Sequence, residues 1–342
     1  MTSHTEDILN YVRAQIDAHP EAVAEARQRL ELTRKIALRF PGANRTYASG
    51  SLPQHTFIHP VGDGDGGLVL DRRYYPKLGP DGDGETPQTI IPDLCSHLGP
   101  EIREVYPGAR CGKSKRGPKI SFGEPVDGQD PTVDLVLALT RKDGTGLWIP
   151  NLNTNRWEAS DPERHIELFI SGGQSLRRTR RRVIRLLKAW NKQYASPAFS
   201  SHNLTVWAWE FVQSGTGLAR AFSTVLSDAA ERVSSGAATT DPAGVSPNVR
   251  LLQSRNVAVK RLRVAADGLA MALRHDDDRD AVSSGLSKVF FKYLDDPAAV
   301  GVERAVAALR RNKPISTALL GLAGTSAVVR PTRAYGESRY DR

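Results

Sequence analysis

From Glu21 to Phe40 the apolar positions Val23, Leu30, Ile36 and Leu38 stand among Arg, Glu and Gln at roughly helical spacing, and Pro41-Gly42 ends the pattern. That predicts an amphipathic N-terminal helix. Residues 43–160 read differently. Short β-branched runs alternate with Gly, Pro and Asp clusters such as the stretch from Gly79 to Gly84, which predicts a sheet with long loops. Ser160-Asp161-Pro162 then offers a cap and an early-helix proline, and beyond it the periodicity is helical towards residue 325. The break from Ser234 to Asn248, rich in Ser, Gly, Ala, Thr and Pro, reads as a mobile loop inside this helical part. Pro314 to Val329 carries no charge but is shorter than the roughly 20 residues of a membrane span, and it reads as buried helix. The pattern therefore predicts an α+β chain in two parts: residues 1–160, a sheet lobe with its N-terminal helix, and residues 161–342, a helical lobe with Trp190 and Trp207 in its core.

A chain of 342 residues, 39% hydrophobic and 25% charged, has the composition of a folded protein long enough for two lobes. The first twenty residues carry charge throughout and lack the apolar run of a signal peptide. Cys95 and Cys111 stand apart, with no CxxC pair and no histidine at ligand spacing, so neither a disulfide framework nor a zinc site is expected. A cytoplasmic protein without a membrane anchor follows. Its net charge of +9 favours anionic partners without choosing between nucleic acid and nucleoside triphosphate.

The stretch from Gly62 to Leu70 holds Asp63 and Asp65 two residues apart before an apolar run. On a strand that spacing puts both on one face, about 6.6 Å apart at the backbone, where they can share divalent cations. An Asp/Gly turn in solvent is the commoner fate of such a hexapeptide taken alone. A calcium loop fails, because its sixth and twelfth positions would be Leu68 and Tyr74 in place of Gly and Glu. Asp134 is the one charge in an apolar run from Val133 to Leu139. A lone buried carboxylate needs a partner, and either a metal shared with Asp63 and Asp65 or an arginine would serve. Ahead of these, Ala48-Ser49-Gly50-Ser51 forms a small turn able to wrap a phosphate. The segment from Pro107 to Ser114 approximates a P-loop, but it begins with Pro where Gly is required and runs into Lys115-Arg116-Gly117-Pro118, which cannot open a helix. It reads as a basic loop, either beside a cleft or in solvent. Arg177 to Arg182 contains five arginines on a predicted helix, a solvated face or an anion-attracting one.

Taken in order, Gly50-Ser51, Asp63-x-Asp65 and Asp134, followed by Lys188 in a helix and Ser201-His202 after it, resemble the DNA polymerase β-type nucleotidyltransferases. Within them they resemble the cyclic GMP-AMP synthase-like and bacterial CD-NTase family. Asp241-Pro242 is similar to the bacterial branch, and Gly64 departs from it, since relatives carry an apolar residue there. With Gly62, Gly66 and Gly67 it lowers strand propensity and predicts loose metal geometry without substrate. The resemblance implies a polymerase β-like sheet lobe with a spine helix and a helical lobe that closes the nucleotide cleft. It implies that Gly50 and Ser51 hold the triphosphate, that Asp63, Asp65 and Asp134 hold two Mg²⁺ (or Mn²⁺), that Lys188 and Ser201 reach back to the phosphates, and that His202 stacks on a base. The implied activity is template-independent synthesis of cyclic di- or oligonucleotides from ATP and GTP-type substrates in anti-phage signalling, with regulatory partners from a defence operon. A linear transferase acting on RNA or protein is the alternative. DNA-sensing animal relatives carry a zinc-containing insertion that two isolated cysteines cannot build, so no obligatory nucleic acid activator is expected.

Overall fold

The computed structural model describes residues 3–80, 86–142 and 144–294, together with the backbone of 315–316 and 328–329. Ser3 caps helix α1 (His4–Gln15), its hydroxyl accepting the Glu6 amide at 3.2 Å. The expected N-terminal amphipathic helix is α2 (Pro20–Ala37), opened by a proline and burying Ala22, Val23, Ala26 and Leu30 against the sheet. Strand β1 (Ala43–Ser49), the short helix α3 (Ser51–Gln54) and strand β2 (Asp63–Leu70) follow. Helix α4 (Ile91–Val105) and the hairpin β3 (Arg110–Lys113) and β4 (Pro118–Ser121) lead to β5 (Thr132–Thr140), β6 (Leu147–Asn151) and β7 (Arg156–Ser160). They form a seven-stranded mixed sheet in the order β1-β2-β5-β4-β3, with β6 added between β5 and β7. Strands β2 and β5 run parallel and side by side, and their apolar runs are buried, as central strands require.

Pairing with β1 and β5 on either side holds β2 as a strand despite the low strand propensity of its glycines. Side chains at Gly64 and Gly66 would press on α2: a Cβ at Gly64 would lie 3.3 Å from Leu30 Cβ, and one at Gly66 would lie 2.9 Å from Leu30 Cδ1. The glycines let the helix lie close on the strand. Arg29 fixes the other end of this contact. Fully buried on α2, it donates to Glu25, Asp130 and the carbonyls of Glu124 and Pro131, and lies over the rings of Tyr106 and Phe122. Asp130 also accepts the amides of Phe122 and Gly123, so the entry into β5, four residues before Asp134, is tied to α2.

The helical lobe comprises α5 (Pro162–Phe169), α6 (Gln174–Lys192), α7 (Ser201–Phe211), α8 (Leu218–Ser235), α9 (Arg255–Arg274) and α10 (Arg279–Val289). Trp190 and Trp207 are fully buried in its core, as expected. Helix α1, for which the pattern made no provision, contributes Leu9, Val12 and Ile16 to the same core. Asp276 accepts the Ser3 hydroxyl and the Thr5 amide, fastening that end of α1 to the turn before α10. Among the described residues no helix is long and apolar enough to cross a membrane.

Three expectations are corrected. Cys95 and Cys111 form a disulfide, with Cα atoms 5.5 Å apart, because α4 lies over β3 and brings together residues separated by 16 positions. The Ser234–Asn248 segment is anchored where a mobile loop was expected. Thr239 is buried and its hydroxyl accepts from Trp207 Nε1 at 2.9 Å, while Asp241 accepts the amides of Val245 and Ser246 at 2.9 and 2.6 Å. At the ends of the stretch read as buried helix, β8 (Ile315–Ser316) and β9 (Val328–Val329) pair antiparallel, and residues 317–327 lie outside the described residues. Residues 295–314, within the run read as helical, also lie outside them. The P-loop was rightly discarded: the segment after Pro107 enters the β3-β4 hairpin, turned by the Ser114 amide donating to the Gly117 carbonyl at 2.7 Å.

Candidate functional site

The parallel register of β2 and β5 sets Asp65 directly beside Asp134, and Asp63 projects two residues earlier from the same face of β2. One carboxylate oxygen from each of the three lies within 4.8 Å of the others. Asp63 is exposed; Asp65 and Asp134 are half-buried. Both sequence readings of Asp134 find a counterpart, since it faces the other two carboxylates and also accepts Lys119 Nζ at 2.8 Å, a lysine from β4 where an arginine was considered. Burial pushes the Asp65 carboxyl up to about 7, and the charges of Asp63 and Asp134 add to this; Lys188 and Lys119 act in the opposite direction. Three carboxyls this close do not all ionise cheaply unless a cation joins them. The all-oxygen donor set and the raised pKa fit a hard divalent ion such as Mg²⁺ or Mn²⁺.

Gly50 closes β1 with φ 70° and ψ −148°, a region open in practice to glycine alone. Its turn wraps Asp65: a Cβ at Gly50 would stand 1.9 Å from Asp65 Oδ2. Ser51 then begins α3, and its carbonyl accepts the Thr56 amide at 3.0 Å.

Lys188 comes from the opposite lobe. On α6 and nearly fully buried, it donates from Nζ to the Thr56 carbonyl at 2.9 Å and to the Thr56 hydroxyl at 3.3 Å. Burial lowers its pKa to about 8, with Lys192 adding to the fall and Asp63 and Asp65 opposing it. Ser201 opens α7, but the capping hydroxyl is that of Ser200, which accepts the Asn203 amide at 3.1 Å. That frees the exposed Ser201 side chain to face the cleft. Asn191, buried beside Lys188, accepts the Ala198 amide and donates to the Phe199 carbonyl, which sets the chain entering α7. His202 packs against His165 and Phe169, with ring centroids 4.9 and 5.8 Å away, and burial lowers its pKa to about 4, with His165 contributing.

Gly50, Ser51, Asp63, Asp65, Lys188, Ser201 and His202 line one cavity of about 460 Å³ between the lobes, within the usual size of a small-molecule site. Asp134 reaches the carboxylate cluster from β5 without lining the cavity. Sequence reasoning missed Lys119 as a partner of the cluster and His165 as a wall of the cavity. Neither had a local signal, since each gains its place through a contact between distant segments. Of the basic stretches, Lys119 faces the carboxylates while Arg116 is held by Glu158 at 2.6 Å. In the run from Arg177 to Arg182, Arg178 is exposed and the other arginines are half-buried, and Arg180 donates to the Trp209 carbonyl at 2.7 Å.

No protein-family model matches the chain, and no curated protein matches its sequence. Solved structures do match. The chain is similar to Bradyrhizobium diazoefficiens CD-NTase CdnG in complex with GTP, at 15% identity and a TM-score of 0.64, covering 85% of this chain and 96% of that one. It is similar to Escherichia coli CdnC with ATP, at 14% identity and a TM-score of 0.61, covering 86% and 99%. The Vibrio cholerae di-nucleotide cyclase DncV, in complex with ATP and GTP, matches at 12% identity and a TM-score of 0.52, covering 86% and 88%. At this level of identity the match establishes the fold: the chain has the mixed-sheet, two-lobed architecture of these nucleotidyltransferases, in agreement with the resemblance read from its motifs.

Proposed function

We propose that this chain is a CD-NTase-type nucleotidyltransferase that joins nucleoside triphosphates, without a template, into a cyclic di- or oligonucleotide. One observation carries the reading: Asp63, Asp65 and the Gly50-Ser51 turn from one lobe, and Lys188, Ser201 and His202 from the other, face a single cavity, with Asp134 completing the carboxylate cluster. The ATP and GTP complexes of the structural neighbours support the substrate class.

Asp63, Asp65 and Asp134 are the residues that would hold the divalent ions, which when bound neutralise phosphate charge and activate the attacking hydroxyl. The Gly50-Ser51 turn lies directly against Asp65 and lines the same cavity, where its backbone amides and the Ser51 hydroxyl would hold the triphosphate. Lys188 bridges the lobes through Thr56 and sets an ammonium against the phosphates, and Ser201 offers a free hydroxyl from the first turn of α7, where the helix dipole favours an anion. His202, kept neutral by its buried setting, presents a ring face to a base. With one all-carboxylate cluster among the described residues, a cyclic product requires two transfers in one site, the linear intermediate turning round between them. The reading extends to a role in anti-phage signalling in the cytoplasm under the control of partner proteins.

Labelled product from mixed triphosphates and Mg²⁺ should resist phosphatase, because a cyclic nucleotide has no terminal phosphate. Label lost from every product, or a ladder growing on added RNA, would move the assignment to a linear transferase. Synthesis is expected to proceed without nucleic acid; enzyme that stays silent until long duplex DNA is added would overturn that part.

Lys188→Met should keep the buried stem and remove the charge. A charge-assisted contact of this kind contributes about 1.5 to 3 kcal/mol, so triphosphate affinity should fall roughly 10- to 100-fold by calorimetry near pH 7. Unchanged affinity would remove Lys188 from the phosphate site.

A further inference from the structure

We propose that His165, His202 and Asp241 form a second metal site, for a transition ion of the zinc class, in the helical-lobe wall of the cleft. One ligating atom from each lies within 4.8 Å of the other two. A tetrahedral ion bound at about 2.0 to 2.2 Å from each ligand sets them about 3.3 to 3.6 Å apart, so His165 and Asp241, now in direct hydrogen-bond contact, separate by about 1 Å to admit it, and all three ligating atoms are already near enough to share one ion. The residues come from three elements: His165 from α5, His202 from α7, and Asp241 from the anchored segment after α8.

The surroundings are those of a built site. Asp241 Oδ2 accepts the amides of Val245 and Ser246 at 2.9 and 2.6 Å, which fixes the carboxylate, while Oδ1 accepts the Ala243 amide at 3.3 Å and meets His165 Nε2. Outer hydrogen bonds of this kind orient a ligating carboxylate. Phe169 stacks on the His165 ring at 5.8 Å and 12°, holding its plane. The His202 ring makes aromatic contacts, and its nitrogens make no hydrogen bond to any described residue. As the structure stands, His165 donates its Nε2 proton to Asp241; ligation takes place through Nε2 once that proton resides on Nδ1.

Geometry also says where an open coordination position would point. Both histidines line the cavity, whereas the Asp241 side chain is 1% exposed behind them. Three protein ligands with the fourth position facing a substrate cleft is the pattern of a zinc site that binds an exogenous group, such as water or a nitrogen or oxygen of a bound nucleotide. Two imidazoles and one carboxylate select a different ion from the all-oxygen cluster of Asp63, Asp65 and Asp134. Occupancy can be read without substrate, although the ion would share His202 and the cavity wall with the base-binding position of the proposed function.

Cobalt titration of the Asp63→Asn/Asp65→Asn double variant tests it, because the oxygen cluster is then disabled. One equivalent of Co²⁺ should bind with the intense visible absorption of a low-coordinate, nitrogen-ligated ion, and Zn²⁺ should displace it. Adding His202→Phe keeps the ring packing and removes the nitrogens; it should weaken binding at least about 10-fold with unchanged circular dichroism. Absence of the visible band, or an equal band with His202→Phe present, would overturn the proposal. Asp241→Asn provides a second reading, retaining the amide contacts at the shape of the side chain while losing the charged ligand, and it too should weaken binding.

Discussion

Asp65→Asn is expected to lower nucleotide synthesis by more than about 1,000-fold while raising the melting temperature of the metal-free protein at neutral pH. The two effects have one cause. Asp65 sits between Asp63 and Asp134 and is pushed from its ordinary 3.8 up to about 7, by burial first and the neighbouring charges second. Between those values the folded chain holds a proton that the unfolded chain has released, so stability falls as pH rises through that window, and the penalty is complete above it. An amide carries no charge and removes the penalty, yet it leaves a divalent ion one carboxylate short. Melting curves in EDTA at pH 4 and pH 7.5 should therefore separate the proteins only at the higher pH. Adding Mg²⁺ should stabilise wild type more than the variant, since binding to the folded state alone adds stability. Product chromatography gives the activity. Turnover within tenfold of wild type in folded Asp65→Asn or Asp134→Asn would sink the assignment.

How much of this was legible in the sequence depends on whether each feature is local. Asp63 and Asp65 are visible because period-2 spacing on a strand is a sequence property, and Asp134 is visible because one charge interrupts an apolar run. Their meeting is a property of the sheet. The parallel β2-β5 register joins residues 69 positions apart and cannot be read from either strand alone. Lys188 and Ser201 were singled out from the ordered motifs, and the structure adds the reason they reach the cavity: Thr56 receives the lysine, and Ser200 takes the capping role that would otherwise occupy Ser201.

The misreadings share the same origin. Ser234–Asn248 has the composition of a mobile loop, but Thr239 and Asp241 place their hydrogen bonds on Trp207, His165 and their own backbone, and composition carries no record of such partners. Cys95 and Cys111 lack any motif because a helix lying over a strand edge, not spacing, brings them together. The glycines of β2 were taken as weakness by propensity. In the fold they are clearances for α2 and, at Gly67, for the Tyr47 ring, whose nearest atom would stand 2.1 Å from an added Cβ.

Gly50→Ala should be nearly as damaging as loss of a carboxylate, although it changes no charge and removes no polar group of the turn. At φ 70° and ψ −148° an alanine is strained by about 1 to 3 kcal/mol before any contact is counted. Its methyl would lie 1.9 Å from Asp65 Oδ2 and 2.7 Å from Asp65 Cγ, far inside contact distance, so either the turn opens or the carboxylate swings away. Each outcome moves a group that positions the reacting phosphates, and a displacement of about 1 Å there can cost roughly 100-fold in rate. Gly112→Ala is the matched control. It lies on β3 with a negative φ, and an added Cβ would meet nothing within 4 Å, so stability and turnover should both stay near wild type. The measurement is turnover per folded molecule, with the folded fraction taken from circular dichroism at the assay temperature. A Gly50→Ala enzyme that folds and turns over within threefold of the Gly112→Ala control would show that the turn does not govern Asp65, and the link from the β1 turn to the carboxylate cluster would have to be given up.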